Sequence, residues 1–415
     1  MNIYTIIILA TLLVDFTLSL ISDLLNLKNL SGELPEEFRD VFDTEKYRKS
    51  QEYTRVNTRF GFLTSTLNLA VILLFWFGGG FNWLDQSVRD WHWPFIWTGL
   101  AYAGLILAAR FIINLPFGIY GTFVIEERFG FNKTTVKTFI LDLVKGLALS
   151  VVLGAPVFAA VLAFFKYAGA PAWVYCWIIV TGFTLIVQYI APTWIMPLFN
   201  KFTPLEDGEL KETILAYADR VRYPLAGLFV MDGSKRSLKS NAFFTGFGKN
   251  KRIALFDTLI EKHSVSELLA ILAHEIGHYK KKHVLIGLVI SILHTGLVFY
   301  LLSLFLTQQA LFDAFYMDHM SIYAGFLFFG MLLSPVEMLL SILMSIVSRR
   351  HEYQADRFAV ETTQLKEAFI DALKTLSAHN LSNLRPHPFY VFLNYSHPPV
   401  LKRIQAIRSM KLHPE

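Results

Sequence analysis

The composition of this chain excludes an ordinary soluble enzyme. Hydrophobic residues make up 54% of its 415 residues and charged residues only 17%, and this excess of apolar side chains indicates helices that cross a membrane. The net charge of +5 is unremarkable and predicts no nucleic-acid partner, while the single cysteine, Cys176, excludes an intramolecular disulfide and a cysteine-based zinc site.

Seven apolar runs are long enough to span a bilayer. The first of them contains Asp15 and lacks both a preceding basic segment and a small-residue cleavage site, so it is interpreted as a retained span and not as a signal peptide. The seven predicted spans cover residues 3–22, 61–83, 95–117, 146–167, 173–199, 284–307 and 321–347.

Basic residues are confined to alternate segments between these spans. Segments 23–60, 118–145, 200–283 and 348–415 together hold 35 Lys and Arg residues, whereas 1–2, 84–94, 168–172 and 308–320 hold only Arg89. Because basic loops stay on the cytoplasmic side, we predict an outward N-terminus and two large cytoplasmic segments. The predicted divisions are five spans with their loops (1–199), a first catalytic segment (200–283), a membrane hairpin (284–347) and a second catalytic segment (348–415).

An H-E-x-x-H pattern begins at His274. Ser264 and Glu267 ahead of it form a helix-starting pattern, so His274 and His278 are predicted to share one helix face and to ligate one zinc ion. Glu275 is then placed to act as a general base on water. A catalytic zinc ion needs three protein ligands and an open position, so the third ligand must come from elsewhere.

Two carboxylates four residues apart follow the last span. Alone, Glu352 and Asp356 would most often be surface salt-bridge partners. After an H-E-x-x-H helix, Glu352 is the natural third ligand, and Asp356 is the natural acceptor that orients a zinc-bound histidine. Because both polar segments are predicted on one side, the zinc site should lie at or just beneath the cytoplasmic membrane surface.

Further polar residues have both a structural and a functional interpretation. Residues 225–257 predict a small sheet beside the zinc helix, whose edge strand can pair with an extended peptide. Asn241 within it fits either a contact with the substrate backbone or turn formation. His397, which precedes two prolines, fits a helix cap as well as a catalytic role, and Arg403 lies less than two turns beyond it.

Ionisable residues in or at the ends of apolar spans indicate a polar cavity, unless they extend to the membrane surface; they are Asp15, Arg110, His294 and Glu337.

Taken together, these stretches resemble the zinc-dependent type I CAAX prenyl endopeptidases, membrane metalloproteases that remove the C-terminal tripeptide of prenylated proteins. The resemblance covers nearly the whole chain. The stretches that carry it are 47–51 (YRKSQ), 122–127 (TFVIEE), 197–205 (PLFNKFTPL), 240–242 (SNA), 274–278 (HEIGH), 352–356 (EYQAD) and 396–399 (SHPP).

The resemblance implies an α-helical integral membrane protein in which seven helices enclose a water-filled chamber, capped by a cytoplasmic α+β metalloprotease domain. It implies one zinc ion per chain, peptide or protein substrates that can be lipidated, contact with membrane lipids, and a site complete within a monomer. By matching positions, the zinc ligands would be His274, His278 and Glu352, and the general base would be Glu275. Asp356 would orient a ligand histidine, and Asn241 would bind the substrate backbone. His397 and Arg403 would flank the reaction centre.

Segment 308–320 is very short, whereas eukaryotic members of this family carry a longer insert there. The comparison indicates a bacterial homologue in the inner membrane, which need not meet prenylated substrates. A membrane-protein quality-control protease or binding factor therefore stays open as an alternative. Cleavage inside transmembrane helices is disfavoured, because the zinc helix lies next to a span and not within one.

Overall fold

The computed structural model describes residues 2–30, 33–245 and 251–411, with the backbone alone for 243–245. Most of the described chain is helical. The helices are α1 (Ile3–Lys28), α2 (Thr44–Phe77), α3 (Gly80–Arg89), α4 (Phe95–Tyr120), α5 (Val136–Leu149), α6 (Ala155–Tyr167), α7 (Ala172–Ile190), α8 (Glu209–Arg220), α9 (Asp257–Ile260), α10 (Val265–Lys280), α11 (His283–Phe305), α12 (Gln309–Asp313), α13 (Ile322–Thr363), α14 (Lys366–His379), α15 (Pro388–Asn394) and α16 (Val400–Ser409). The strands are β1 (Phe202–Pro204), β2 (Leu225–Met231), β3 (Ala242–Thr245) and β4 (Lys251–Phe256).

The predicted number of membrane spans is confirmed. Seven helical stretches of the described chain are long and apolar enough to cross a bilayer, and three of them include π-helical turns, at Gly121–Glu126, Ser150–Gly154 and Ala191–Ile195. Several helices extend past the apolar runs, because a helix can continue into water without changing its backbone geometry. The stretches are Ile3–Lys28, Thr44–Phe77, Phe95–Glu126, Val136–Tyr167, Ala172–Leu198, His283–Phe305 and Ile322–Thr363.

The last of these helices, α13, joins the membrane region to the polar part of the chain. Its 42 residues correspond to about 63 Å, roughly twice the thickness of the hydrocarbon core of a bilayer. Pro335 is accommodated within it. The helix therefore leaves the apolar region without a break, and its polar end packs against α10.

The start and end of α10 follow from local sequence. Ser264 accepts a hydrogen bond from the backbone N–H of Glu267, whose side chain in turn accepts one from the backbone N–H of Ser264, so the predicted helix start is confirmed. The helix ends at Lys280, and Lys282 adopts a left-handed φ of 61° before α11 begins. A two-residue turn thus connects α10 to the sixth membrane helix.

A four-stranded sheet lies beside α10. Its order is β1-β2-β4-β3, with β2 and β4 parallel and the other pairs antiparallel. The extended structure predicted for 225–257 is confirmed over β2, β3 and β4; residues 246–250 of that stretch lie outside the described residues. One apolar core joins the sheet to α10, through side chains that include Leu228, Ile253 and Leu272. β3 occupies one edge of the sheet.

Candidate metal centre

Three side chains that can bind a metal ion converge between α10 and α13. The Nε2 atoms of His274 and His278 lie 3.2 Å apart, since their four-residue spacing places both imidazoles on one face of α10. Glu352 reaches them from α13: its Oε2 lies 3.5 Å from the Nε2 of His274 and its Oε1 lies 3.2 Å from the Nε2 of His278. The three donors lie within 4.8 Å of one another.

These separations fit a single zinc ion. Tetrahedral ligands at about 2.0–2.1 Å from zinc lie about 3.3 Å from each other, close to the distances observed here. Glu352 is 3% exposed, and its Oε2 has no hydrogen-bond partner among the described residues. A buried carboxylate oxygen that makes no hydrogen bond is costly unless positive charge neutralises it. Arg403, whose Nη1 lies 3.6 Å from this Oε2, supplies part of that charge, and a metal ion between the three donors would supply more. The residues present therefore fit a zinc ion.

Hydrogen bonds on the far side of each imidazole leave both Nε2 atoms free to act as donors to a metal. The Nδ1 of His274 lies 2.8 Å from Asp356, which makes Nδ1 the protonated nitrogen. The Nδ1 of His278 lies 3.0 Å from the Nδ1 of His283, whose Nε2 lies 2.9 Å from the amide oxygen of Gln354. When the Nδ1–H groups of His274 and His278 donate to these partners, the Nε2 lone pairs of both residues face each other and Glu352.

Asp356 is fully buried and is held by Arg403 as well as by His274. The Nε of Arg403 donates to one carboxylate oxygen at 2.9 Å and its Nη2 to the other at 2.5 Å, while its Nη1 lies 3.6 Å from Glu352. Burial lowers the pKa of His274, but its close contacts with the carboxylates of Asp356 and Glu352 outweigh burial and raise the pKa to about 9. This corner of the molecule strongly favours positive charge.

The close approach of the two ligand helices depends on Gly277, inside the H-E-x-x-H motif. A Cβ atom at this position would lie 3.1 Å from the Cα and 3.2 Å from the carbonyl oxygen of Ala355. The two backbones are therefore nearly in contact one turn from Glu352, and the lack of a side chain at Gly277 lets α13 place its carboxylate against the histidine pair.

His397 lies beside this centre, and Glu275 follows the candidate ligand His274 directly in the chain. Glu275 is partly buried, and within the described part of the chain its carboxylate makes no hydrogen bond or ion pair. His397 is 64% exposed; its Nε2 lies 3.4 Å from the Oε1 of Glu352, and its Nδ1 lies 3.0 Å from the hydroxyl of Ser396.

Within the described structure, Asn241 makes no hydrogen bond to the candidate metal ligands. It is exposed at the start of β3, where its side-chain oxygen accepts a hydrogen bond from the backbone N–H of Ala242 at 2.9 Å. This contact is the turn-type interaction that its sequence context also predicts.

Two residues around the ligands were not singled out by the sequence analysis. His283 and Gln354 complete the hydrogen-bond chain behind His278, and the ring of His351 stacks on that of His283 at 3.9 Å. Only the proximity of His283 to the motif hinted at it. Its position depends on the left-handed turn at Lys282, which no helical periodicity predicts.

A candidate metal site of two histidines and a glutamate, in a chain with seven helices able to span a membrane, is the arrangement of a membrane metallopeptidase. Residues 23–201 match the CAAX prenyl protease N-terminal family, described as having five membrane helices, and residues 204–411 match peptidase family M48. The chain therefore belongs to peptidase family M48 and carries the CAAX prenyl protease membrane domain.

Similar proteins span nearly its full length. CAAX prenyl protease 1 of Saccharomyces cerevisiae is 36% identical over 408 residues, covering 90% of this chain and 88% of that protein. The CAAX prenyl protease 1 homolog of Homo sapiens is 34% identical over 437 residues, covering 92% and 90%. The crystal structure of S. mikatae Ste24p aligns with a TM-score of 0.92 at 36% identity, covering 98% of this chain and 99% of that one.

These matches confirm two predictions made from the sequence. The chain is an integral membrane metalloendopeptidase of this family. Its fold class, an α-helical membrane protein whose seven helices enclose a chamber and carry a metalloprotease domain, is confirmed by the structural match.

Proposed function

We propose that this chain is a zinc-dependent endopeptidase that cleaves peptide bonds near the C-terminus of CAAX-type, membrane-associated substrates. The observation that carries the proposal is the convergence of His274, His278 and the buried carboxylate of Glu352. The relatives named CAAX prenyl protease 1 support the substrate class.

His274, His278 and Glu352 would hold one zinc ion per chain. When bound, zinc supplies Lewis-acid chemistry, which polarises a carbonyl oxygen and makes water more acidic. Asp356 fixes the tautomer and the orientation of His274 through the hydrogen bond to Nδ1. Three protein ligands would leave the fourth position of a tetrahedral zinc ion for water or substrate.

Glu275 is assigned as the general base. Its carboxylate is partly buried and uncommitted among the described residues, so it can accept a proton from the attacking water and deliver that proton to the leaving amine. Attack on the peptide carbonyl moves negative charge onto its oxygen, and this developing charge needs a donor.

His397 is assigned as that donor. Its Nε2 is exposed 3.4 Å from Glu352, so an N–H there can point at a substrate oxygen next to the metal site. Arg403 has two of its nitrogens committed to Asp356 and a third near Glu352, and we assign it to hold these carboxylates in place. The positive charge of Arg403 would also stabilise the developing negative charge on the substrate oxygen.

The substrate would bind as an extended chain along the free edge of β3. Edge strands present unpaired backbone groups to a peptide, and within the described residues β3 pairs with β4 alone. Asn241 stands at the start of this edge. Its side chain would exchange the hydrogen bond with Ala242 for one with the substrate backbone.

We also propose the arrangement in the membrane. The charge asymmetry of the loops supports a cytoplasmic catalytic region and an outward N-terminus. On this basis the four divisions predicted from the sequence would alternate between membrane and cytoplasm, and lipid would surround the spans. The protein would act as a monomer and would be located in a bacterial inner membrane. All proposed catalytic groups come from one chain, so a second copy is not needed for the chemistry.

Purified protein and a farnesylated CAAX peptide test the proposal. We expect zinc-dependent release of the C-terminal tripeptide by the wild-type protein, no hydrolysis but retained zinc for Glu275→Ala, and loss of zinc for Glu352→Ala. The same peptide without the lipid measures whether a prenyl group is required. A wild-type preparation that holds zinc but leaves both peptides intact would refute the substrate assignment, and full zinc occupancy in Glu352→Ala would refute the ligand assignment.

A quality-control role is the second candidate, because polar groups face each other inside the apolar region. The Nε2 of His294 on α11 lies 2.9 Å from a carboxylate oxygen of Glu337 on α13, and both side chains are about one-third exposed or more. Such a polar surface suits longer, non-lipidated polypeptides in the chamber. Cross-linking substrates to the Glu275→Ala protein in cells distinguishes the two, since captured misfolded membrane proteins favour this role and captured C-terminal tails favour the first.

A further inference from the structure

The segment that leads into β3 is held by the membrane region of the chain. We define this segment, residues 236–241, as the strap. Its backbone follows the connection between α4 and α5: the N–H of Lys133 donates to the carbonyl oxygen of Arg236, and the N–H of Leu238 donates to the carbonyl oxygen of Phe131, each at 3.0 Å. Asn132 and Ser237 form a bridge of the antiparallel type between these contacts.

One lysine of the strap is inserted between side chains of two membrane helices. The Nζ of Lys239 lies 2.7 Å from the hydroxyl of Tyr53 on α2, and 2.9 and 3.1 Å from the two carboxylate oxygens of Glu126 in the π-helical turn after α4. The same Nζ lies 5.0 Å from the ring centre of Tyr53 and 4.7 Å from that of Phe131. Tyr53 also donates to Glu126, which closes the triad.

These contacts surround the ammonium group of Lys239 with three partners, although its side chain is still 36% exposed. Burial lowers the pKa of Lys239, but the hydrogen bonds to Tyr53 and Glu126 outweigh burial and leave the pKa raised. Cation–π contact with two rings adds further stabilisation. An isolated ion pair on the surface contributes little, but Lys239 combines an ion pair, a hydrogen bond to Tyr53 and contact with two aromatic rings.

The next residue along the chain is fixed from the catalytic side. The backbone N–H of Ser240 donates to the side-chain oxygen of Asn380 at 3.1 Å, and its hydroxyl donates to the carbonyl oxygen of Thr258 at 3.0 Å. The hydroxyl of Thr258 in turn donates to the carbonyl oxygen of Lys239 at 3.1 Å. Asn241 and β3 thus follow directly after Lys239, which is held by the membrane helices, and Ser240, which is held by the catalytic side.

We propose that Lys239, with Glu126 and Tyr53, is a positioning residue that sets the edge strand β3 and Asn241 for the substrate. This inference rests on the proposed function, because it assumes that a peptide pairs with β3. Among the residues that the structure describes, the side chains of the triad contact neither the candidate metal ligands nor Asn241, so their influence on the site passes through the strap. The triad fixes where the binding edge lies relative to the membrane helices, and its loss leaves the metal ligands untouched.

The test compares Lys239→Met, which keeps the aliphatic stem, with Lys239→Arg, which keeps the charge. We expect KM for the CAAX peptide to rise about fivefold or more in Lys239→Met with kcat within about twofold of wild type, because a contact that is equal in ground and transition states affects KM alone. Lys239→Arg should recover most of the affinity. Lys211→Met removes a surface lysine paired with Asp207 and serves as the matched control.

Glu126→Gln and the double variant complete a double-mutant cycle. If the two residues act as one unit, the rise in KM in the double variant is clearly smaller than the product of the single effects. Amide hydrogen exchange provides a readout that needs no catalysis: exchange in 242–245 should accelerate in Lys239→Met, while α10 stays protected and zinc content stays at one per chain.

The outcomes separate this inference from the proposed function. A wild-type protein that cleaves no CAAX peptide contradicts the proposed function, and the exchange measurement still tests whether Lys239 sets β3. Normal cleavage by the wild type with unchanged KM and unchanged exchange in Lys239→Met overturns the inference alone. An equal fall in kcat, zinc content and thermal stability in Lys239→Met also overturns it, because that pattern indicates only a structural ion pair.

Discussion

At the scale of single residues, Gly277 allows the two ligand helices to meet. We expect Gly277→Ala to weaken zinc binding about tenfold and to lower the thermal unfolding temperature, because the new methyl group meets backbone atoms of Ala355 and overpacking costs about 1–3 kcal/mol. Zinc titration and thermal unfolding of the purified protein check this. Gly287→Ala on α11, where an added Cβ meets nothing within 4 Å, is the matched control. Wild-type zinc affinity in Gly277→Ala would show that the helices do not need this close approach.

His397 differs from the ligands in being exposed. We expect His397→Ala to lower kcat by about 10²-fold while zinc stays bound, since loss of one donor to a developing oxyanion has an effect of this size. Steady-state kinetics and zinc analysis on the same preparation check both parts. Retained zinc with near-normal kcat would transfer the oxyanion role to another donor, with Arg403 the first to examine.

The sequence was sufficient to pair His274 with His278 on one helix face and Glu352 with Asp356 on another, because residues four apart share a helix face. It named all four as one candidate site, but the contact between the two helices came from the structure. The sequence was not sufficient for Lys239. The partners of this lysine, Tyr53 and Glu126, lie 186 and 113 residues away along the chain, and no local pattern relates residues at such distances.

At the scale of secondary-structure elements, the continuity of α13 places Glu352 against α10. We expect Ser348→Pro, one turn before Glu352, to abolish stoichiometric zinc binding, since proline inside a helix removes a backbone hydrogen bond and costs about 3 kcal/mol. Zinc content after purification measures this. Ile322→Pro, at the first position of the same helix, is the control because proline is tolerated there. Full zinc occupancy in Ser348→Pro would mean that packing alone holds the ligand end of α13.

The sequence predicted the number of membrane helices better than it predicted the residues at which they begin and end. Hydropathy located seven spans, because only apolar residues are stable in the hydrocarbon core. It placed the start of the second span at 61, whereas α2 begins at Thr44, where Asp43 accepts a hydrogen bond from the backbone N–H of Lys46. The helix ends are set by caps and by packing outside the membrane, which a hydropathy pattern does not contain. The short strand β1 was also missed, since three residues carry no readable alternation.

At the scale of the whole molecule, the two catalytic segments are brought together by the hairpin of α11 and α13. The side of the membrane on which each loop lies stays a prediction from the charge pattern of the sequence. The close packing of α10 against α13 needed the structure, because hydropathy predicts which helices are buried in lipid and not which of them touch.

Cysteine labelling in intact cells tests the resulting topology. With the buried Cys176 replaced by alanine, a single cysteine is placed either at Asp207, whose side chain is 94% exposed, or at Gln309 in the short segment after α11. We expect a membrane-impermeant maleimide to label the Gln309→Cys protein in intact cells and the Asp207→Cys protein only after permeabilisation, because 35 basic residues lie on the side of Asp207 and Arg89 alone lies on the other. Labelling in the reverse order would place the catalytic region outside. It would leave the metal site intact but would require substrates delivered from the opposite side of the membrane.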